Sequence, residues 1–161
     1  MGSSNNLIVK NLKKKRRAVF AAKNFKKGDF LHQISGRVIS RDAMLASSRY
    51  LSDHMGTLGK NKYIIMGYPE RYINHSCNPN IYEINLKIYA MKNIRKCEEI
   101  TYDYSICSID DWKMKCKCKH KNCRKIVKGN FFELPKRLQI KYLPYLDDWF
   151  KKEFKNEIEN L

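Results

Sequence analysis

Apolar residues in this chain come in short runs separated by Gly, Asn, Asp and Lys, the pattern of many brief strands rather than long helices. Leu7-Ile8-Val9 and Ala18-Val19-Phe20-Ala21-Ala22 read as the first two strands. Lys27-Gly28-Asp29 reads as a turn, and Phe30-Leu31-His32-Gln33-Ile34 and Arg37-Val38-Ile39 flank Gly36 as two more strands. From Arg41 to about His54 the pattern changes to a helical one, with Asp42 near the start, Ala43, Met44, Leu45 and Leu51 following, and Gly56 and Gly59 ending it. Lys62 to Met66, Ile81 to Ile84 and Leu86 to Met91 return to strand character. The expected fold class is mostly β with short helices.

Beyond Gly129 the period lengthens. Pro135 and Pro144 each open a helical pattern, as suits a residue with a fixed φ and no N–H to lose in the first turn. Leu146, Phe150, Phe154 and Ile158 then recur every four residues, which predicts an apolar stripe on a helix packing back on the domain. Asp147 with Lys151, and Asp148 with Lys152, have the spacing and orientation of supporting ion pairs. There is no internal repeat and no low-complexity linker.

With 161 residues, 43% of them hydrophobic, the chain can bury a core, and no apolar run nears the roughly 20 residues of a membrane span. No membrane partner is expected. Met1 to Asn6 starts like a myristoylation signal but lacks Ser or Thr at position 6, and no secretory h-region follows. The charge is lopsided: 33 Lys plus Arg against 16 Asp plus Glu, a net +17. Such a field favours polyanions, nucleic acid above all. Nine basic residues and no acid lie between Lys10 and Lys27, with Lys13-Lys14-Lys15-Arg16-Arg17 at the centre. This run reads equally as a nucleic-acid patch and as a solvated turn.

Six cysteines in a chain without a secretory signal point to thiols or a metal in a reducing, intracellular setting rather than to disulfides. Cys116, Cys118 and Cys123 form a C-x-C-x4-C cluster, too tight for relaxed disulfides and suited to zinc, which in structural sites takes four thiolate or imidazole ligands. The fourth ligand is His120, at the cost of crowding four donors into eight residues, or Cys77, 39 residues upstream of Cys116 and the better candidate. Cys97 and Cys107 read as packing thiols. Cys77 itself sits in Arg71-Tyr72-Ile73-Asn74-His75-Ser76-Cys77-Asn78-Pro79-Asn80, whose Asn and Pro residues predict a tight non-helical turn. Farther on, Glu98-Glu99-Ile100-Thr101-Tyr102-Asp103-Tyr104 alternates like an exposed strand.

Taken in order, Asn74-His75-Ser76-Cys77-x-Pro79-Asn80, Glu98 to Tyr104, and Cys116-x-Cys118-x4-Cys123-Arg124 resemble the SET-domain protein lysine methyltransferases with a post-SET zinc motif. Ala18 to Ala22 followed by Lys26-Lys27-Gly28-Asp29 is similar to the family's opening strand and turn. The resemblance spans residues 7 to 127. It implies a SET domain over residues 7–107, a post-SET zinc motif over 113–127 and a C-terminal helical tail over 131–161. It also implies small curved sheets with a pseudoknot, in which the Asn-His and Tyr segments pass each other.

The same resemblance implies a site. S-adenosylmethionine would lie against Arg71, Tyr72, Asn74, His75 and the strand holding Arg16, Ala18 and Phe20, near Cys116. The substrate lysine would enter from the opposite face, with Tyr104 as the catalytic tyrosine and Tyr102 limiting the product to mono- or dimethyl-lysine. Cys77, Cys116, Cys118 and Cys123 would hold the zinc. Implied partners are a histone tail or another basic protein, with nucleosomal DNA gripped by the basic surface. The setting would be the nucleus or chromatin of the cell or of a host, or otherwise the cytoplasm. Two departures stand out: the family's Gly-x-Gly is replaced at Arg16 and Ala18, and the insert between Ile39 and Tyr63, which shapes the peptide groove, is short. Arg16 could pair with the cofactor's carboxylate. The lost glycines lean slightly toward an alternative expectation, a non-catalytic module binding chromatin or nucleic acid, while the intact Asn74, His75, Tyr102 and Tyr104 favour an active lysine methyltransferase strongly.

Overall fold

The computed structural model describes residues 6–12, 16–48, 51 and 53–161. Met1 to Asn5, the centre of the basic run at Lys13-Lys14-Lys15, and part of the segment expected to be helical before His54 lie outside the described residues.

Among the described residues, twelve short strands form five small sheets. β1 (Leu7–Asn11) and β2 (Arg17–Ala21) pair antiparallel, Leu7 opposite Ala21. β3 (Phe30–Gln33), β9 (Lys87–Ala90) and β8 (Ile81–Ile84) form one three-stranded sheet; β4 (Gly36–Ser40), β6 (Lys62–Met66) and β5 (Met55–Gly59) form another. β7 (Asn74–His75) and β10 (Thr101–Tyr102) pair in parallel, and β11 (Ile109–Lys115) with β12 (Ile126–Asn130) closes a long hairpin around the cysteine cluster. The β8–β9 hairpin turns through Asn85 and Leu86, both at positive φ. Asn tolerates that region better than Leu does.

Among the described residues the expected helix from Arg41 is interrupted: it stops after Leu45, and Leu51 is helical again. α1 spans only Arg41–Leu45, with the Ser40 hydroxyl capping the Ala43 N–H at 3.3 Å. Gly56 and Gly59 do not terminate a helix; they belong to β5, which pairs with β6 on the side away from β4. A ladder with a strand already held on its other edge outweighs a weak local helical preference.

Two apolar clusters make the core. Val19, Ala21, Leu31, Ile81, Ile88, Ile94 and Ile100, none more than 1% exposed, join the N-terminal sheets. The second cluster sits where Met91, Ile106 and Cys107 meet the tail residues Phe131, Tyr142, Leu146, Phe150 and Phe154. The tail folds as α2 (Lys136–Tyr142), α3 (Asp148–Glu153) and α4 (Lys155–Glu159). Its apolar stripe faces inward as predicted, with Leu146 and Phe150 fully buried.

Details of the tail differ from expectation. Pro135 caps α2 from just outside it, and Pro144 lies in a 3-10 turn, Leu143–Tyr145, rather than opening the last helix. Asp147 caps α3 through a 3.2 Å bond from the Trp149 N–H. Neither Asp147 nor Asp148 pairs with its lysine: Asp147 accepts the Asn85 N–H at 2.7 Å and Asp148 the Asn85 amide at 2.8 Å. The tail thus hangs on the β8–β9 turn, while Lys60 and Glu153, 3.0 Å apart, tie it to the β5–β6 hairpin.

Phe150 packs edge-on against Phe131 and stacks on Phe132, with centroids at 5.3 and 5.7 Å. Phe150→Ala should therefore lower unfolding free energy by about 3–5 kcal/mol in urea titration. A loss below about 1 kcal/mol would mean that the tail contributes little to the fold.

Candidate active site and metal centre

The Asn-rich turn and the Tyr segment come together as neighbours in space. Thr101 lies opposite Asn74 and Tyr102 opposite His75 in the parallel pair, and the Ser76 and Asn80 N–H groups donate to Tyr102 and Thr101 carbonyls at 2.9 and 3.1 Å. The Asn80 side chain completes the clamp, accepting from the Thr101 N–H at 2.8 Å and donating to the Glu99 carbonyl at 2.8 Å. The Glu98 to Tyr104 segment is therefore interior, not the exposed strand its alternation suggested: Ile100 and Asp103 are wholly buried. None of its residues is exposed, so alternation here separates two covered faces rather than a core face from a solvent face.

Asp103 is the hub. One oxygen accepts from Arg124 Nη2 at 2.6 Å and from the Ser105 N–H at 3.2 Å; the other accepts from the Tyr142 hydroxyl at 3.0 Å. His75 Nδ1 lies 3.7 Å from the first oxygen and accepts the Tyr104 N–H at 3.2 Å. Burial lowers the His75 pKa to about 4 in spite of the Asp103 charge, so the ring is a neutral acceptor.

The four sulfurs of Cys77, Cys116, Cys118 and Cys123 lie within 4.8 Å of one another, with Cys77 and Cys116 at 3.7 Å. Zn–S bonds of about 2.3 Å place tetrahedral sulfurs about 3.8 Å apart, so the donor set suits zinc. His120 is not in this group; its Nδ1 accepts the Asn122 N–H at 3.2 Å within its own turn. Among the described residues Cys77, not His120, completes the set. The Arg124 N–H donates to Cys77 Sγ at 3.4 Å, and its guanidinium, beside these thiols, counters thiolate charge. Cys107 is buried as expected, its thiol pushed up to about 12 by burial. Cys97 is not a packing thiol: it is exposed, in a turn at positive φ.

A cavity of about 410 Å³ is lined by Arg16, Arg17, Asp53, His54, Arg71, Tyr72, Ile73, Asn74 and Tyr104. It falls within the range that holds small ligands. Of the expected cofactor residues, Arg16, Arg71, Tyr72 and Asn74 line it, and Ala18, Phe20 and His75 do not. Ala18 is wholly buried, Phe20 lies under the Lys10 ammonium at 5.0 Å, and the His75 ring is turned toward Asp103 and Cys77. Arg71 spends its guanidinium on the Met66 and Gly67 carbonyls at 2.7 to 3.2 Å, so it shapes the wall. Arg17, a member of the basic run with no motif of its own, covers the Tyr72 ring at 4.9 Å and donates to its hydroxyl at 2.5 Å. The Asn74 amide bridges the Arg17 carbonyl at 3.1 Å and Glu99 at 2.9 Å. Asp53 and His54 carried no motif by which they could have been found.

Tyr104 connects this cavity to the interior. Its hydroxyl donates to the Ile73 carbonyl at 2.7 Å, and the Tyr102 hydroxyl to Ile106 at 3.0 Å. Burial first, and the charge of Glu83 second, push both phenol pKa values up, so both hydroxyls stay protonated.

A fold of small sheets in which an Asn-His turn runs beside a buried tyrosine segment and carries one member of a four-cysteine cluster, with Asn74 and Tyr104 lining one cavity, is the arrangement of the SET class. The SET domain matches residues 16–105, and the chain belongs to that family. It is 30% identical over 135 residues to a histone-lysine N-methyltransferase, H3 lysine-36 specific, from Candida glabrata, covering 73% of this chain and 19% of that protein. Over 62 residues it is 45% identical to human histone-lysine N-methyltransferase SETD1B, 34% of this chain and 3% of that protein. The chain thus spans a small part of these curated relatives. The solved methyltransferase domain of human histone-lysine N-methyltransferase SETMAR shares the fold, with a TM-score of 0.61 and 19% identity over 77% of this chain and 58% of that one.

Since Cys77 belongs both to the sulfur cluster and to the turn that lines the cavity, Cys77→Ser should lose bound zinc and cofactor affinity together. Elemental analysis and calorimetry read the two; full zinc occupancy in the variant would mean that His120 can substitute.

Proposed function

We propose that the protein methylates the side-chain amine of lysine in a protein substrate, using S-adenosylmethionine and favouring mono- and dimethylation. The observation that carries this reading is the meeting of Tyr104 with Arg16, Arg71, Tyr72 and Asn74 at a single cavity. Membership of the SET family supports it. So does the position of Ala18: wholly buried and apart from the cavity lining, its methyl group does not obstruct the site that a glycine would keep open. Arg16 at the cavity offers a guanidinium to the cofactor's carboxylate.

When bound, S-adenosylmethionine supplies an electrophilic methyl group on a positive sulfur. The residues of the chain do the rest. A lysine ammonium has a pKa of about 10.4, and only the neutral amine is a nucleophile. The buried surroundings of Tyr102 and Tyr104 disfavour the ammonium, and their fixed hydroxyls orient the amine. The Tyr102 hydroxyl also takes up room that a further methyl group needs. Zinc on the four cysteines serves structure, joining the β11–β12 hairpin to the Asn-rich turn.

The substrate we favour is a histone tail or another basic DNA-associated protein in chromatin, with DNA held by the basic surface. A net charge of +17 repels a free basic tail, and nucleosomal DNA reverses the sign of that encounter.

Calorimetry with S-adenosylmethionine tests the reading first. Absence of binding would leave the non-catalytic chromatin-binding alternative. Mass spectrometry of nucleosomes and cell lysate should then show mono- and dimethyl-lysine, and Tyr102→Phe should shift products toward trimethyl-lysine; an unchanged distribution contradicts the role of that hydroxyl. Affinity for nucleosomes should fall steeply between about 50 and 200 mM salt, and a flat response would reject the DNA contact.

A further inference from the structure

The expectation that the chain holds no internal repeat fails on a short scale. Ala21-Ala22-Lys23-Asn24-Phe25-Lys26-Lys27-Gly28-Asp29 and Ala90-Met91-Lys92-Asn93-Ile94-Arg95-Lys96-Cys97-Glu98 match in residue character at every place but Gly28 and Cys97. In space the two stretches face each other and make the same bonds twice. Phe25 and Ile94 exchange backbone hydrogen bonds of 2.8 and 2.9 Å. The Asn24 side chain accepts the Lys96 N–H at 2.7 Å, and the Asn93 side chain accepts the Lys27 N–H at 3.0 Å. The Gly28 N–H donates to the Ala90 carbonyl and the Cys97 N–H to that of Ala21, both at 2.8 Å. Even the mismatched pair is equivalent: both residues hold positive φ, so Cys97 occupies the place of a turn glycine.

A cleft of about 590 Å³ lies between these loops and draws its lining from both. Phe25 and Ile94, both buried, belong to that lining, as do the two bridging asparagines. Three exposed cations, Lys26, Arg95 and Lys96, line it against one carboxylate, Asp29. Asp29 accepts the Lys26 N–H at 2.7 Å, as Glu98 accepts the Arg95 N–H at 3.0 Å, so each acid is held in its own turn. Among the described residues no side chain of the three cations forms an ion pair or a hydrogen bond. Lys23 and Lys27 add exposed charge to the first loop. Like charges gathered on so firmly bonded a support repel one another, and an anion relieves that repulsion.

The arrangement distinguishes among anions. A free phosphate or nucleotide is cradled by unspent backbone N–H groups, and here the N–H groups of Lys26, Lys27, Arg95 and Lys96 are all engaged. Recognition falls to long side chains alone, which suits phosphates presented on a backbone. An acidic peptide has no symmetry to match two equivalent loops. A DNA duplex does, because its two strands are related by local two-fold axes, and symmetric proteins use that correspondence.

We propose that this cleft is where the protein grips duplex DNA, Lys26 from one loop and Arg95 with Lys96 from the other contacting phosphates of the two strands without reading their sequence. The proposal rests on the chromatin reading above for its choice of partner and locates the contact on the chain. None of the cleft residues lines the cavity that holds Tyr104, so DNA and cofactor are bound at separate places.

Fluorescence anisotropy of a short labelled duplex with the full chain tests it, with melting curves to confirm folding. Lys26→Ala, Arg95→Ala and Lys96→Ala combined should weaken binding about 10-fold or more at about 100 mM salt and flatten the slope of log affinity against log salt by about 3. A control removes the same charge from the exposed residues Lys62, Lys87 and Lys152, none of which lines the cleft. It should stay within about 3-fold of the parent. A cleft variant that keeps the parent's affinity and slope overturns the proposal, and so does a control that loses as much. Displacement of the duplex by polyglutamate as readily as by unlabelled DNA, at equal charge, overturns the choice of phosphate. The assay contains no cofactor, so its failure leaves the methyltransferase reading standing, and failure to bind S-adenosylmethionine leaves the cleft untouched.

Discussion

Asp103 has no exposure to solvent, and its two oxygens gather groups from distant parts of the chain. Arg124 comes from the cysteine-bearing hairpin, Tyr142 from the tail, and His75 from the Asn-rich turn. A carboxylate in so dry a place must be paired, because unpaired burial of a charge is among the costliest events in folding. The partners are therefore constrained as strictly as Asp103 itself. Satisfying this one side chain brings the sulfur cluster, the tyrosine segment and the tail into register, with Tyr104 beside it facing the cavity.

The sulfur cluster adds a second constraint on the same ground. Cys77 lies two residues beyond His75, and Arg124 follows Cys123 directly, so the hub and the sulfur cluster share short stretches of backbone. Movement of either disturbs the other. Asn80 holds the far end of the turn against Thr101 and Glu99, so the stretch that follows the cavity-lining residues Arg71 to Asn74 is fixed at both ends. Rigid support of this kind is what a site needs to hold its reacting groups at productive distances.

Much of this was legible in the chain and some was not. The cysteine spacing and the apolar stripe of the tail each have a strong local signature, and each is where its pattern indicated. The Asn-rich segment is a turn only from Ser76 to Asn80: Arg71 and Tyr72 lie in a 3-10 turn, and Asn74–His75 form β7 because the Tyr segment offers them a parallel partner. The end of the segment after Arg41 misled because helical residues and a strand share one apolar sequence, and the edge of β6 claims Met55 to Gly59 for the sheet. The aspartates of the last helix misled for a related reason. Their spacing fits a helical ion pair, but the β8–β9 turn offers backbone and amide donors that bind them first. Among the cavity residues, Arg17, Asp53 and His54 had no sequence signal, because it is the packing of separate loops that makes them neighbours.

The sequence by itself determined the β-rich class, the family resemblance and the list of chemically distinctive side chains, since these follow from periodicity, residue type and spacing along the chain. Tertiary structure decided which of them share a site. It chose Cys77 over His120, turned His75 toward the hub and away from the cavity, and left Ala18 outside the lining. Distances across sheets and the cost of burying a charge govern those choices, and neither is written in the order of residues.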